Sequence, residues 1–208
     1  RKMMYNDSVS EAFQLSDTEI AAYGGGNGFA RACLTARNLL KSSLGARFIQ
    51  ITMGGWDNHA NIYTTALNAA NPNSQARQLD AGLGALLADL KRDALLDETL
   101  VVVMGEFGRT VGPLNGQNGR DHFLTQSVLL AGAGIRGGRA IGATDDQGRN
   151  VVEPGWAAGR EVRTEDIEAT IYSALGIDWT KTYYDDPLGR GFQLVPTNQG
   201  VDYQPLNE

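Results

Sequence analysis

The chain has 208 residues, enough to bury a substantial core in one domain or in the larger part of one. It carries 18 Lys and Arg against 24 Asp and Glu, and this formal charge of −6 excludes the basic footprint of a protein that binds nucleic acid or an anionic membrane surface. No apolar run approaches the ~20 residues of a membrane-spanning helix, and the single cysteine, Cys33, excludes an internal disulfide.

Two helices are predicted in the first part of the chain. The segment LSDTEIAAYG (15–24) opens on a Ser-Asp cap signal and ends on glycine. The segment FARACLTARNLLKSSLG (29–45) follows, and apolar residues at helical spacing line one of its faces. Cys33 belongs to that face and is interpreted as a buried structural thiol.

A strand, a helix and a second strand are predicted next. The segment ARFIQITMGG (46–55) is typical of a buried strand that runs into a Gly-rich turn. The clearest helix is 74–93, because its leucines recur at helical spacing. The apolar run ETLVVVMGE (98–106) is suited to a strand that is covered on both faces.

The remainder continues the alternation of strands and helices. TQSVLLAGAG (125–134) predicts another strand, and 135–150 predicts a β-hairpin or a loop. The segment 163–178 predicts a helix, with Thr164 as its N-cap and Gly176 at its C-terminal end.

This order of elements predicts the α/β class, with a doubly wound, mostly parallel sheet and helices on both of its faces. In such sheets ligands bind beyond the carboxyl ends of the strands. Asp57 and His59 follow one predicted strand, and Glu106 and Arg109 follow the next. Both pairs are therefore expected at the same edge of the sheet.

Both histidines of the chain lie in Gly-flanked acidic loops, GGWDNHAN (54–61) and GRDHF (119–123). The metal-ligating residue types in and between these loops are Asp57, His59, Glu106, Asp121 and His122. Two imidazoles and three carboxylates suit a divalent ion, Zn²⁺ first and Mn²⁺ or Ca²⁺ where oxygen ligands dominate. A second interpretation stays open, in which the aspartates cap turns and the histidines are hydrogen-bonded to backbone carbonyls.

The segment GEFGRT (105–110) also has two interpretations. In the first, Glu106 is a metal ligand or general base and Arg109 clamps an anionic oxygen. In the second, the glycines simply turn the chain, and Glu106 and Arg109 are paired to each other or to distant charges. The chain contains no Gly-x-Ser-x-Gly elbow.

The two histidine loops are expected to meet. Neighbouring parallel strands lie about 4.8 Å apart, so loops that leave the same sheet edge bring their side chains together. The intervening segment contains Pro113 and several glycines, which favour a loop that folds back over the sheet edge and disfavour a helix. Asp57, His59 and His122 are therefore predicted to converge within metal-bridging distance.

Five motifs, in this order, closely resemble the DUF1501 family: GGWDNHAN, LDETLVVVMGEFGRT, GRDHF, SVLLAGAGIRGGRAIGATD and DIEATIYSALGID. The resemblance extends from about Ala12 to Phe192. The family is itself similar to a branch of the alkaline phosphatase and sulfatase superfamily. This resemblance implies a doubly wound α/β fold around a metal centre. Residues 1–208 are then expected to be the C-terminal part of one domain and to lack its N-terminal strands.

The resemblance also implies roles for particular residues. Asp57 and His59 match positions that hold one metal ion in the superfamily, and His122 matches a later metal-binding histidine. Glu106 and Phe107 stand where the superfamily has an Asp-His pair, so a carboxylate is retained there and an imidazole is not. The superfamily nucleophile and a further Asp ligand come from an N-terminal strand that this chain is expected to lack.

The function implied is a metal-dependent hydrolase of phosphate or sulfate esters, with a small anionic ester as substrate. Asp57, His59 and His122 would hold the ion, Glu106 would be a ligand or base, and Arg109 would stabilise charge on the transferring group. The alternative is a fold retained for binding or assembly without chemistry, as Phe107 and the scarcity of histidine indicate.

The expected partners and location follow from the same resemblance. The N-terminal part of the same protein is the expected partner, and neither nucleic acid nor a membrane span is expected. The opening residues show no initiator methionine or signal peptide, so a targeting segment is expected to precede them. The superfamily resemblance implies a periplasmic or secreted location.

Overall fold

The computed structural model describes residues 6–196 and 200–206 of the chain. The chain divides into two compact units. The first comprises Arg1–Asp97 and Phe107–Phe123, and the second comprises Glu98–Glu106 and Leu124–Glu208. The opening residues 1–5, which contribute to the expectation of a preceding targeting segment, lie outside the described residues. One domain over 1–208 stays a prediction.

The first unit is built on helices. They are α1 (Asp7–Ala12), α2 (Asp17–Ala22), α3 (Gly28–Lys41) and α4 (Gln75–Arg92). The three helices predicted at 15–24, 29–45 and 74–93 are confirmed as α2, α3 and α4, whereas α1 was not predicted.

Local hydrogen bonds explain why these helices begin where the sequence indicates. The Ser16 hydroxyl accepts the Glu19 backbone N–H, and the Glu19 carboxylate accepts the Ser16 N–H, which makes a capping box. The Asn27 side chain accepts the Ala30 N–H at 2.8 Å at the start of α3. Such caps need only neighbouring residues, so the sequence alone predicts them.

Helices α3 and α4 pack together in the core of the first unit. The buried residues of the two helices are Ala30, Cys33, Leu34, Ala36, Arg37, Gly82, Leu86 and Leu90. Gly82 allows a close approach, because a β-carbon at that position would lie 2.9 Å from the Phe29 ring. Arg37 is buried as a charge but pairs with Glu19 at 2.7 Å.

The prediction of a buried strand at 46–55 is wrong. This segment forms no regular structure, and its residues are exposed or only half-buried, with Phe48 clearly exposed. A strand requires a neighbour that shares its backbone hydrogen bonds, and no strand of the described ranges pairs with it.

Eight short strands are present among the described residues. They are β1 (Val101–Val103), β2 (Gly108–Arg109), β3 (His122–Phe123), β4 (Leu129–Ala131), β5 (Ala143–Thr144), β6 (Val151–Glu153), β7 (Thr182–Tyr183) and β8 (Phe192–Gln193). The strands predicted within 98–106 and 125–134 are confirmed as β1 and β4. A hairpin or a loop was expected over 135–150; the structure has a hairpin of β5 and β6, whose second strand lies just beyond that range.

The mixture of helices and strands agrees with the predicted class, but the prediction of a mostly parallel sheet is corrected by the structure. Every pair of strands in the described part of the chain is antiparallel: β1 with β4, β2 with β3, β5 with β6, and β7 with β8. Most partners are joined by short connections that reverse the chain, and such connections favour antiparallel pairing. The run 101–103 is only half-buried, so the expected cover on both faces is also absent there.

The second unit has its core around α5 (Thr164–Ala174), where Trp156, Ile167 and Leu206 pack together. The N-cap of α5 is Arg163, one residue before the predicted Thr164. The Asp166 carboxylate, which is fully buried, accepts the Arg163 N–H and so closes the first turn.

None of the helices in the described residues combines the length and the apolar character needed to cross a membrane.

Candidate metal centre

The site lies in the first unit, and its first loop is 54–61. The Asn58 side chain shapes this loop, because it donates to the Gly55 carbonyl at 2.8 Å and accepts from the Thr65 hydroxyl at 2.8 Å. The Asn58 N–H also donates to the Trp56 carbonyl. These local bonds hold the loop that carries Asp57 and His59.

The second loop, 110–121, is closed by the antiparallel pair β2 and β3. Its register places Arg109 opposite His122 and Gly108 opposite Phe123. The Thr110 N–H continues the pairing by donating to the Asp121 carbonyl at 3.0 Å. No helix forms between β2 and β3, in agreement with the prediction made from Pro113 and the glycines.

Backbone hydrogen bonds join the two loops directly. The N–H groups of Asn61 and Ile62 donate to the carbonyls of Gln117 and Asn118, both at 3.0 Å. The Arg120 N–H returns to the Asn58 carbonyl at 3.1 Å. This bridge, and not a pair of parallel strands, determines how the two histidines meet.

Asp57, His59 and His122 each turn one ligand atom toward a common point. Asp57 Oδ1 lies 2.9 Å from His59 Nε2 and 3.3 Å from His122 Nε2. The two Nε2 atoms are 3.2 Å apart. All three ligand atoms thus fall within 4.8 Å of one another, as an ion-binding group requires.

The fit of this group to a divalent ion can be judged from its distances and its donors. An ion placed ~2.1 Å from each of the three atoms, at the separations of 2.9, 3.2 and 3.3 Å, would lie about 1 Å above their plane. Three electron-rich atoms this close together also repel one another unless a cation or shared protons lie between them. The donor set of two imidazoles and one carboxylate therefore fits a divalent ion.

Asp121 occupies a different place from the one expected of a ligand. Its Oδ1 lies 2.7 Å from His59 Nδ1, the ring nitrogen that faces away from the three-atom group. The same oxygen accepts the side-chain N–H of Asn115 at 3.1 Å. The three-atom group does not include Asp121.

Arg109 and Phe107 border the group on the side of β2. Arg109 donates to Asp57 Oδ1 at 2.8 Å and to the Arg120 carbonyl at 3.2 Å, so its guanidinium is held against a ligand carboxylate. The Phe107 ring packs against His122, with ring centroids 4.3 Å apart. Arg109 also lies over the Phe107 ring, 5.4 Å from its centroid.

Both aspartates of the site are held in the ionised form. The hydrogen bond from Arg109 is the main reason why the pKa of Asp57 lies below its usual value, and His122 adds to the effect. The hydrogen bonds from His59 and then from Asn115 lower the pKa of Asp121. With neutral imidazoles, two carboxylates and one guanidinium leave one negative charge at the site.

Glu106, like Asp121 and Arg109, is not part of the three-atom group. It belongs to the second unit, where it ends the segment Glu98–Glu106, and its side chain is exposed. Arg109 pairs with Asp57, a charge 52 residues away in the chain, as one interpretation of GEFGRT expected.

Two residues that sequence reasoning did not single out support the site. The Asn115 amide donates to the His59 carbonyl at 3.0 Å as well as to Asp121, and so bridges both loops. Gly119 lies directly against the His59 backbone. The Asn- and Gly-rich string LNGQNG (114–119) was a signal for a tight turn, but nothing in it indicated that the turn packs on His59.

Comparison with known proteins assigns a family and no activity. The family model described as "Protein of unknown function (DUF1501)" matches residues 2–202, nearly the whole chain. No curated protein and no solved structure matches the chain.

Proposed function

The chain belongs to the DUF1501 family, whose function is unknown, and we propose that its three-atom group binds a divalent metal ion in a hydrolase of phosphate or sulfate esters. The observation that carries the proposal is the convergence of Asp57 Oδ1, His59 Nε2 and His122 Nε2 within 4.8 Å. His122 lies 63 and 65 residues from His59 and Asp57 in the sequence, and local structure alone gives no reason for its ring to meet their side chains.

The donor set favours zinc. Two imidazole nitrogens and one carboxylate oxygen resemble the three protein ligands of catalytic zinc sites, which leave a fourth position for water or substrate. Mn²⁺ and Ca²⁺ prefer sites with more oxygen ligands, and they are the second candidates.

The site is open to a substrate. The side chains of Asp57, His59 and His122 are 68, 42 and 52% exposed, so a small ester can reach the group from solvent. A bound divalent ion would supply a Lewis acid that polarises an ester oxygen and lowers the pKa of an attacking water. It would also change the net charge of the site from −1 to +1, which attracts an anionic ester.

The residues of the chain contribute orientation and charge. Arg109 holds the Asp57 carboxylate in place through a hydrogen bond of 2.8 Å, and its positive charge remains beside the group. A phosphate or sulfate oxygen that approaches the group would therefore meet a guanidinium as well, as a developing anionic transition state requires. In the proposed hydrolase Glu106 keeps its predicted role as a further ligand or base.

The finer expectations belong to the same proposal. The similarity of the sequence motifs to the alkaline phosphatase and sulfatase superfamily supports ester hydrolysis. A periplasmic or secreted location agrees with that resemblance.

The second candidate function is a binding or assembly role without chemistry. It is favoured by one contact, the packing of the apolar Phe107 ring against His122 at 4.3 Å. The superfamily carries a metal-ligating histidine at the matching position, so a second ion has no imidazole there. One ion held by three side chains suffices for structural binding.

The experiment, performed on the full-length protein, is a calorimetric titration with Zn²⁺, Mn²⁺ and Ca²⁺, followed by a panel of aryl phosphates and aryl sulfates. We expect zinc to bind with a stoichiometry of one, and Asp57→Ala and His59→Ala each to abolish both zinc binding and hydrolysis. Asp80→Ala is the matched control, because Asp80 lies on α4 and pairs only with Arg77 in the ion pairs of the described residues. A protein that binds none of the three ions refutes the metal site. Zinc binding with no hydrolysis of any ester favours the second function.

A further inference from the structure

We propose that Asn115 and Asp121 act as a positioning pair that holds His59 in one tautomer, with the proton on Nδ1 and the lone pair of Nε2 directed at Asp57 and His122. Asp121 is then a positioning residue behind the ligand, not a ligand itself. The inference rests on the proposed metal site and deepens it, because it states how the chain prepares His59 to bind a cation.

Two backbone N–H groups determine the orientation of the Asn115 side chain. Gln117 and Gly119 both donate to Asn115 Oδ1, at 3.0 and 2.9 Å. A backbone N–H can only donate, so these two bonds identify the Asn115 atom that receives them as oxygen. The orientation of the amide, which side-chain shape alone does not distinguish, is thereby determined.

The orientation of Asn115 then determines the role of Asp121 as a hydrogen-bond acceptor. Since the oxygen of Asn115 is occupied, its Nδ2 faces the other two partners, the His59 carbonyl at 3.0 Å and Asp121 Oδ1 at 3.1 Å. Both partners accept. Asp121 Oδ1 thus takes part as an acceptor.

The last step assigns the proton on His59. Asp121 Oδ1 lies 2.7 Å from His59 Nδ1, and an ionised carboxylate has no proton to give. Nδ1 must therefore carry the proton and donate it. In a neutral imidazole the other nitrogen, Nε2, then holds a free lone pair, and this is the atom 2.9 Å from Asp57 Oδ1 and 3.2 Å from His122 Nε2.

The hydrogen bonds from Asn115 to Asp121 and from His59 to Asp121 orient His59 as a metal ligand is oriented in known metal sites. Metal-binding histidines usually donate their second ring N–H to a carboxylate, which fixes the ring and raises the basicity of the ligand nitrogen. Asp121 cannot reach the ion from its present place, because it lies at the opposite side of the His59 ring. The alternative without a metal is an imidazolium at His59 that donates to Asp57 and Asp121 at once.

Nitrogen-15 NMR of the metal-free protein distinguishes these states directly. The chain has only two histidines, so the His122→Gln variant assigns the His59 signals without ambiguity. With the pH raised until the His59 ring is neutral, we expect its proton on Nδ1. In Asp121→Leu, which leaves the Nδ1–H without an acceptor, we expect the population to move toward the Nε2–H form.

Zinc affinity provides the second readout. Loss of an outer carboxylate partner typically weakens metal binding ~10–100-fold, and we expect Asp121→Asn to fall in this range. Asn115→Ala should act in the same direction because it removes the donor to Asp121. Asp80→Asn, which makes the same change of charge on α4, should alter neither the tautomer nor the affinity. Circular dichroism and thermal unfolding show whether each variant is folded.

The outcomes separate this inference from the proposed function. A neutral His59 ring that carries its proton on Nε2 overturns the positioning pair even if zinc binds. An unchanged tautomer in folded Asp121→Leu overturns it too. A protein that binds no zinc but loses the Nδ1–H form in Asp121→Leu retains the positioning pair and refutes the metal site.

Discussion

Gly119 lies so close to His59 that a β-carbon at residue 119 would be 1.9 Å from the His59 carbonyl carbon and 2.4 Å from the Ala60 nitrogen. No side chain fits in that space, so only glycine allows the second loop to pack on the first. The contact determines the separation of the two loops, and with it the distance between His59 and His122.

Gly119→Ala is therefore expected to force the loops apart. We expect the free energy of unfolding to fall by about 1–3 kcal/mol, the usual cost of overpacking a tight contact, and zinc binding to weaken. Urea denaturation and calorimetry measure the two effects. Gly116→Ala is the matched control, because a β-carbon there meets nothing within 4 Å. Equal behaviour of the two variants would contradict the role assigned to the contact.

Asp166→Asn is expected to destabilise the second unit at pH 7. The buried carboxylate accepts two hydrogen bonds from Arg160, at 2.7 and 2.8 Å, and one each from the N–H groups of Arg163 and Gln204. The side-chain amide of asparagine would point its own NH₂ donor at some of these N–H groups, where no acceptor would remain. Removing one partner of a buried ion pair costs about 3 kcal/mol, and urea denaturation beside Asp80→Asn as control measures the loss.

The difference in the free energy of unfolding between wild type and Asp166→Asn depends on pH in a definite direction. Burial raises the pKa of Asp166, but the bonds from Arg160 and the two backbone N–H groups outweigh it, and the pKa lies below its usual value. A carboxyl group whose pKa is lower in the folded than in the unfolded state stabilises the protein fully at pH values above the unfolded-state pKa. This contribution is lost as the pH falls through the folded-state pKa. The gap between wild type and Asp166→Asn should thus narrow in acid, and a gap that widens would refute this assignment.

Cys33 is expected to be unreactive in the folded protein. The thiol is 1% exposed, and burial raises its pKa to about 12, so almost none of it is the nucleophilic thiolate at pH 8. A colorimetric thiol reagent should therefore react slowly with native protein and fully once urea has unfolded it. Rapid labelling of native protein would show that the packing of α3 on α4 is open.

Ser16→Ala tests the capping box that begins α2. Loss of a serine cap costs about 1 kcal/mol, and the hydrogen bond that the Ser16 hydroxyl donates to the Glu19 carboxylate at 2.7 Å is lost with it. Ser10→Ala is the control, since Ser10 lies within α1 and is exposed. Thermal unfolding should show a lower midpoint for Ser16→Ala alone, and identical midpoints would count against the cap.

The sequence by itself was sufficient for the features that neighbouring residues decide. Helices α2, α3, α4 and α5 were predicted because each has a capping or apolar pattern within its own segment, and helical hydrogen bonds connect residues four apart. The absence of a helix between β2 and β3 followed from Pro113 and the glycines in the same way. The residues that form the three-atom group were also named from sequence, since the chain has only two histidines and each lies within two residues of an aspartate.

Only the tertiary structure decided which segments pair and what each site residue contacts. The run 46–55 has the composition of a strand, but a strand exists only where a distant segment supplies its hydrogen bonds, and none of the described strands does. His59 and His122 were expected to meet at the edge of a parallel sheet. They meet instead because the 110–121 loop bonds to the backbone around Asn61 and packs Gly119 on His59. Asp121 illustrates the same limit: its type and spacing fit a ligand, and its place behind the His59 ring depends on Asn115, which no local pattern connects to either histidine.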